Sequence, residues 1–293
     1  MTNEALKDLF NAALVGYAQD NQGNIINKKN LILNSIKHPL RMAKLTGLVV
    51  DNRLHCKFSK EKITTFWSDE MTVVIPEEVS LKLYAYRYFE PGLTRIMLEY
   101  LNKNDTLIDI GAHFGYFTLL GSYIVGEHGK VHSFEPIPTT YEILESNIIN
   151  KSNIKINNLA LFSKNCQIPM INLGTERSAY NSIITDDSKN NSEDLFYVNT
   201  ICMDDYVNSN AIRPNFIKLD AENAEYEVLT GAKTTLETFF PIVSLEVGGS
   251  NSEKCIDYLK NIGYSVYKCR KGKLTTLDFQ QKYDYDNLLF LPH

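Results

Sequence analysis

The 293-residue chain has little cysteine, a single tryptophan and no long apolar run. Cys56, Cys166, Cys202, Cys255 and Cys269 are odd in number, scattered, and form no Cys-x-x-Cys pair. That pattern indicates neither a disulfide framework nor a zinc site. No segment approaches the ~18 apolar residues of a membrane span. MTNEALKDLF also lacks the basic region and apolar stretch of a signal peptide. A soluble, cytoplasmic protein is the expectation. The net charge is -5 and no Lys/Arg block suggests a phosphate-tracking surface, so nucleic acid is not an expected partner. His128 and His132 stand four apart, but Gly129 lies between them and His132 falls in a strand pattern. No helical metal pair results, and no metal site is expected.

The chain does have an apolar fraction of 44%, enough for a full core. Near the N-terminus Leu6, Leu9, Phe10 and Ala13 share a helical face, and Ile32, Ile36, Leu40 and Met42 hint at another. The runs LHCKFS, ITTFW and MTVVIP between Leu54 and Pro76 predict a small antiparallel element with Trp67 in its packing. Residues 1–80 are therefore expected to form a small N-terminal α+β cap, structural or available for homo-oligomerisation or for holding a substrate.

From Pro91 onward strands and helices alternate. Leu93, Ile96, Met97, Tyr100 and Leu101 line one helix, and DTLIDI follows as the first strand. KVHSFEP is the second strand, followed by a helix with Thr139 and Glu142 as a capping box, and NIKINNLAL holds the third. A polar stretch from Gly174 to Asn191 predicts a loop or short strands. NFIKLD is the fourth strand, a helix spans Ala224 to Leu236, and PIVSLEV is the fifth strand. YSVYKC and NLLFLPH end the series with no helix between them. The expected fold is α/β: a Rossmann-like, doubly wound, mostly parallel seven-stranded sheet with an antiparallel C-terminal hairpin.

TLIDIGAHFGYFT, residues 106–118, carries a strand into a glycine turn and then a helix. Gly111 and Gly115 allow a sharp turn and close approach to a ligand. Glu135 lies 20 residues beyond Gly115, about the ~20-residue spacing of a side chain that accepts hydrogen bonds from ribose hydroxyls. A dinucleotide fold would carry Gly-x-Gly-x-x-Gly under a pyrophosphate, but here the bulky His113 stands two after Gly111. The pyrophosphate and nicotinamide readings are disfavoured. An Asp-x-Gly-x-x-x-Gly turn with an acidic strand end suits S-adenosylmethionine, which has no phosphate and carries a sulfonium and an ammonium group.

YFEPGLT, LIDIGAHFGYFT, GKVHSFEPIP, NNLALF, TICMDDY, IKLDAENAEYEVLTGA and PIVSLEV stand in that order between Tyr88 and Gly248. With these pieces the chain resembles the FkbM-type methyltransferases, a branch of the class I, seven-stranded S-adenosylmethionine-dependent enzymes. The resemblance implies that residues 81–293 form the methyltransferase domain. It implies methyl transfer to a hydroxyl, less often an amine, of a sugar, glycan or secondary-metabolite acceptor. It implies that Asp109, Gly111, Ala112, His113, Gly115, Phe117 and Thr118 surround the methionine part of the cofactor, with Asp220 beside them. Glu135 with Pro136 would hold the ribose, and Asn158 and Ala160 would approach the adenine. Two positions depart from the family: His113 replaces its usual Asn, and Asn223 replaces the Gly of Asp-x-Glu-Gly-x-Glu. Asn tolerates left-handed backbone angles, so Asn223 can take the place of that glycine with little strain.

Methyl transfer needs the acceptor oxygen about 3 to 3.5 Å from the methyl carbon, and positioning alone supplies ~7 to 11 kcal/mol of the barrier reduction. A hydroxyl must also lose its proton to a base within hydrogen-bond reach. Asp220, Glu222 and Glu246 are the catalytic candidates, because the fourth and fifth strands deliver them to one crevice. The Asp220, Glu222 and Glu225 cluster admits three readings: a general base, oxygen ligands for a divalent cation, or a helix N-terminus favoured by its dipole. A functional alternative is a non-catalytic S-adenosylmethionine-binding or scaffolding subunit.

Overall fold

In the computed structural model, the described residues are 2–14, 28–171, 195–248, 251–270, 273–276 and 287–293. The polar stretch from Gly174 to Asn191 lies outside them. The N-terminal part comprises α1 (Asn3–Leu14), α2 (Lys28–Lys37), α3 (Pro39–Leu54), an antiparallel pair of strands β1 (Ser59–Thr64) and β2 (Glu70–Ile75), and α4 (Glu78–Tyr86). Its inward face is aromatic. Trp67, 2% exposed, packs edge-on against Phe66 and Tyr116 with ring centroids 4.9 and 5.3 Å apart, and Phe66 meets Phe10 of α1 at 5.1 Å. Such pairs each contribute about 0.5–1.5 kcal/mol beyond area burial, so this chain of rings ties α1 and the β1–β2 turn to the sheet domain.

After α5 (Pro91–Tyr100) the alternating series begins: β3 (Thr106–Ile110), α6 (Tyr116–Val125), β4 (Lys130–Phe134), α7 (Pro138–Ile148) and β5 (Ile154–Asn157). β6 (Ala160–Leu161), β7 (Gln167–Ile171) and β8 (Leu195–Ile201) then leave the main sheet and form a small one of their own, in the order β6-β8-β7. The chain returns through α8 (Met203–Ser209) to β9 (Phe216–Leu219), α9 (Glu225–Thr230), α10 (Lys233–Phe239), β10 (Ile242–Glu246), α11 (Ser252–Asn261), β11 (Tyr264–Arg270), β12 (Lys273–Thr276) and β13 (Asn287–Pro292).

The main sheet runs β12-β11-β13-β10-β9-β3-β4-β5. From β5 through β10 every pairing is parallel. β13 runs antiparallel between β10 and β11, and β12 adds an edge strand beyond the seven expected. Alternation along β3 sends Leu107 to the face covered by α6 and the aromatic cap. Ile108 and Ile110 face the other way, onto the core beneath α9, α10 and α11. The sheet is Rossmann-like, wound on both faces.

The third strand expected within NIKINNLAL is β5, which ends at Asn157, and β6 joins the second sheet. Two local expectations are corrected. The helix expected over Ala224 to Leu236 is two, parted at Gly231, where an added Cβ would lie 2.1 Å from the carbonyl oxygen of Phe162. Thr139 does not cap α7. Pro138 opens the helix with its φ already suited to the first turn, and no side-chain cap forms.

Candidate active site

The order of strands reverses beside β3: its chain neighbour β4 lies on one side and β9 on the other. Open α/β sheets form their crevice at such a point, beyond the carboxyl ends of the strands. Register pairs Asp109 of β3 with Lys218 of β9. The period of two along β9 then puts Lys218 and Asp220 on one face of the sheet.

The turn after β3 is built by backbone geometry. Gly111 and Gly115 have φ of 72° and 95°, and His113 between them has φ of 51°. The amides of Gly111 and Ala112 both donate to the carbonyl of Phe134, and Gly115 N–H donates to the carbonyl of Ala112. A Cβ on Gly111 would lie 2.0 Å from the Asp220 carbonyl oxygen, so the glycine is required where β3 meets the end of β9. Gly115 is confined by Leu144, 2.6 Å from an added Cβ.

Asp109 is fully buried. Thr118 Oγ1 donates to its Oδ2 at 2.6 Å, and Lys218 Nζ lies 3.5 Å from its Oδ1. Thr118, also bonded to Ser133, thus faces the sheet, and Phe117 lays its ring 5.6 Å from the Lys218 ammonium. Glu135 closes the other side of the turn: Oε2 accepts His113 N–H at 2.9 Å and Oε1 accepts Ile137 N–H at 3.0 Å. Burial pushes its carboxyl up to about 7, the two amides working in the opposite direction. Burial also pushes the His113 imidazole down to about 3, leaving it neutral, stacked 3.9 Å from Phe114. Asn158 is exposed, and its amide donates to the carbonyls of Glu135 and Pro136; Ala160 is buried in β6.

Lys218 was not among the sequence candidates, yet it organises the centre. Its ammonium donates to the carbonyls of Ile110 and Gly111 at 3.1 and 3.0 Å and to Asp220 Oδ2 at 3.2 Å. Burial works to lower its pKa, but Asp220, Asp109 and Glu90 outweigh it and hold the amine charged. The available signal was a lysine inside the buried run FIKL: a buried charge demands partners. Glu90, which precedes α5 and accepts from Asn287 at 3.2 Å, was missed as well.

Asp220, Glu222 and Glu246 come together, with one oxygen of each within 4.8 Å of the others. Their protons are unequally distributed. Burial works to raise Asp220, but Lys218 and a hydrogen bond from Glu246 hold it below the ordinary range. Burial, the charge of Asp220 and that hydrogen bond drive Glu246 far above it. The two carboxyls are driven apart, Asp220 toward the anion and Glu246 toward the protonated form. Glu222, placed at φ of 46°, is pushed up to about 8 by burial and by its neighbours Asp220 and Glu225. Asn223 follows in the left-handed region at φ of 76°, where an asparagine is well suited. Glu225 turns to the loop instead, its Oε1 accepting from Ala221 and Asn223 amides at 2.9 and 3.2 Å.

Fold and crevice together define a Rossmann-like α/β protein with an acidic cleft at the ends of its parallel strands. The family model described as the methyltransferase FkbM domain matches residues 109–266, more than half of the chain, and the chain belongs to that family. The hexuronic acid methyltransferase AglP of Haloferax volcanii is 28% identical over 167 residues, which cover 54% of this chain and 63% of that protein. The match thus spans less than two thirds of that relative's length. Among solved structures, the methyltransferase FkbM from Methylobacillus flagellatus KT aligns with a TM-score of 0.45 and 15% identity, covering 72% of this chain and 52% of that one. A SAM-dependent O-methyltransferase from Thermotoga maritima aligns with a TM-score of 0.40 and 15% identity, covering 82% and 80%.

Proposed function

We propose that the protein is an S-adenosylmethionine-dependent methyltransferase that methylates a hydroxyl of a sugar or glycan. The observation that carries this reading is the acidic cluster beside the glycine turn, where Asp109 and Asp220 pair with one buried ammonium and Glu222 and Glu246 lie against Asp220. That charge balance suits a cationic ligand without phosphate. Glu135 has spent one lone pair of each oxygen on an amide, and each oxygen keeps a second for a ribose hydroxyl. The donor set therefore fits S-adenosylmethionine, which when bound supplies an electrophilic methyl group on sulfur.

The side chains of this protein supply the rest. Glu222, pushed up to about 8, takes the acceptor hydroxyl proton onto its carboxylate as the oxygen becomes a nucleophile. Asp220 stays ionised beside it, fixed by Lys218 and Glu246, and the positive charge of a bound ligand is balanced there. Membership in the FkbM family and the similarity to a hexuronic acid methyltransferase support a sugar acceptor.

Calorimetry with S-adenosylmethionine, S-adenosylhomocysteine and NAD tests the cofactor. Methyl incorporation from labelled cofactor into a panel of uronic acids, nucleotide sugars and glycans tests the reaction. Binding of NAD alone would overturn the reading. Tight S-adenosylmethionine binding without transfer to any sugar would favour a scaffolding role.

A further inference from the structure

The segment from residue 28 to 62 differs in charge from the rest of the chain. It holds nine Lys or Arg against two Asp or Glu, a net charge of +7, while the whole chain carries -5, which leaves -12 on the remainder. Two of its acids are already paired at the surface, Asp51 with Lys57 and Glu61 with Lys44. Large apolar side chains stand in solvent over the same stretch: Ile32 is 62% exposed, Ile36 71%, Leu40 86% and Leu54 75%, with Leu31, Val50 and Phe58 also exposed.

These residues follow the helices. Ile32 and Ile36 lie one turn apart on α2, and Leu40 opens α3 just past His38 and Pro39. α3 buries Met42, Leu45 and Asn52. Leu40, Ala43, Gly47, Val50 and Leu54, spaced by three and four, fall on its opposite face. An added Cβ on Gly47 would meet nothing within 4 Å. Single exposed apolar residues are ordinary; a run of them along two helices, set among lysines, marks an interaction surface.

We propose that α2, α3 and the approach to β1 dock the protein on an anionic lipid bilayer, with Ile32, Ile36, Leu40 and Leu54 entering the acyl boundary and the surrounding basic residues meeting the head groups. Helices that lie in a membrane interface combine these two features, apolar side chains for insertion and Lys/Arg for anionic lipid. Charge decides among occupants. A second copy would bring two basic surfaces together and repel. Nucleic acid would satisfy the charge and leave the apolar side chains without a partner. No described helix is long and apolar enough to cross a membrane, so these helices would lie on it.

Flotation of the full chain with vesicles tests the proposal. Binding is expected to phosphatidylcholine vesicles containing phosphatidylglycerol, to weaken with salt, and to be lost on phosphatidylcholine alone. Lys29→Glu with Lys60→Glu should weaken partitioning at least roughly 30-fold. Ile36→Asp with Leu40→Asp, both exposed positions, should keep the circular dichroism spectrum and melting temperature and lose binding at least about 10-fold. Equal binding to neutral vesicles, wild-type binding by either double variant, or no vesicle binding at all would overturn it. A dimer in analytical ultracentrifugation that Leu40→Asp dissociates, without vesicle binding, would assign the face to a second copy instead.

Discussion

Lys218 of β9 and Asp220, two residues on and just past the strand's end, hold each other at 3.2 Å beneath the glycine turn that both support. The lysine bonds two carbonyls of that turn, and the aspartate's own carbonyl oxygen occupies the space a side chain on Gly111 would need. Removing the ammonium leaves buried carboxylates uncompensated. Lys218→Met is expected to lose about 3–5 kcal/mol in urea unfolding. Adding Asp220→Asn should restore part of that loss. Simple additivity of the two would argue against the pair as the centre's organiser.

Glu135→Ala is expected to weaken S-adenosylmethionine binding by roughly 10-fold or more, since charged hydrogen bonds contribute about 1.5–3 kcal/mol. The wild type should show a pH dependence of its own. Its carboxyl titrates at about 7 when free. Hydrogen bonds from ribose hydroxyls favour the ionised form, so the bound pKa is lower and binding releases a proton. Affinity should hold steady above about 7 and fall by up to about ten-fold per pH unit below it. Calorimetry across pH measures this, and an unchanged affinity in Glu135→Ala would remove the residue from the site.

Glu222→Gln should lower turnover by about 10² to 10⁴ while changing cofactor affinity only a few-fold, and Asp220→Asn should lower turnover as much and weaken cofactor binding as well. Glu222 accepts a proton only when ionised, so wild-type turnover should rise with pH. The inflection should lie at or below about 8, because a bound sulfonium favours the carboxylate. Single-turnover rates measured across pH check the assignment; a rate that falls with rising pH through that range contradicts it.

His113→Asn should keep most activity. The position has φ of 51°, which Asn accepts more readily than His, and its link to Glu135 runs through the backbone amide that any such residue retains. A folded but inactive His113→Asn, alongside active carboxylate variants, would move the base to the imidazole.

Gly111→Val is expected to abolish cofactor binding. Its Cβ would collide with the Asp220 carbonyl oxygen and drive β3 and β9 apart where the crevice opens. A folded variant that binds S-adenosylmethionine normally in calorimetry would show that the turn is not the site.

Much of this arrangement was legible in the chain because strand, turn and acid recur at fixed intervals. TLIDIGAHFG announces β3 and its turn, and the spacing to Glu135 places β4. β6 was not legible as a separate strand: it is two residues long and pairs with Thr200 and Ile201, forty residues away. The break at Gly231 depends on the carbonyl of Phe162, which no local pattern contains. Lys218 escaped notice because a lysine in FIKL reads as a surface residue until register sets it beside Asp109. The basic character of residues 28–62 escaped for a related reason: its lysines and arginines are dispersed among apolar residues and form no block.

The position of β13 bears on how the molecule is assembled during synthesis. The strand between β10 and β11 is the latest of the described strands to leave the ribosome. Until residues 287–292 arrive, β10 presents an unpaired edge and β11 has no neighbour joining it to the parallel strands. An unpaired apolar edge of that kind is prone to pair with another chain until β13 covers it.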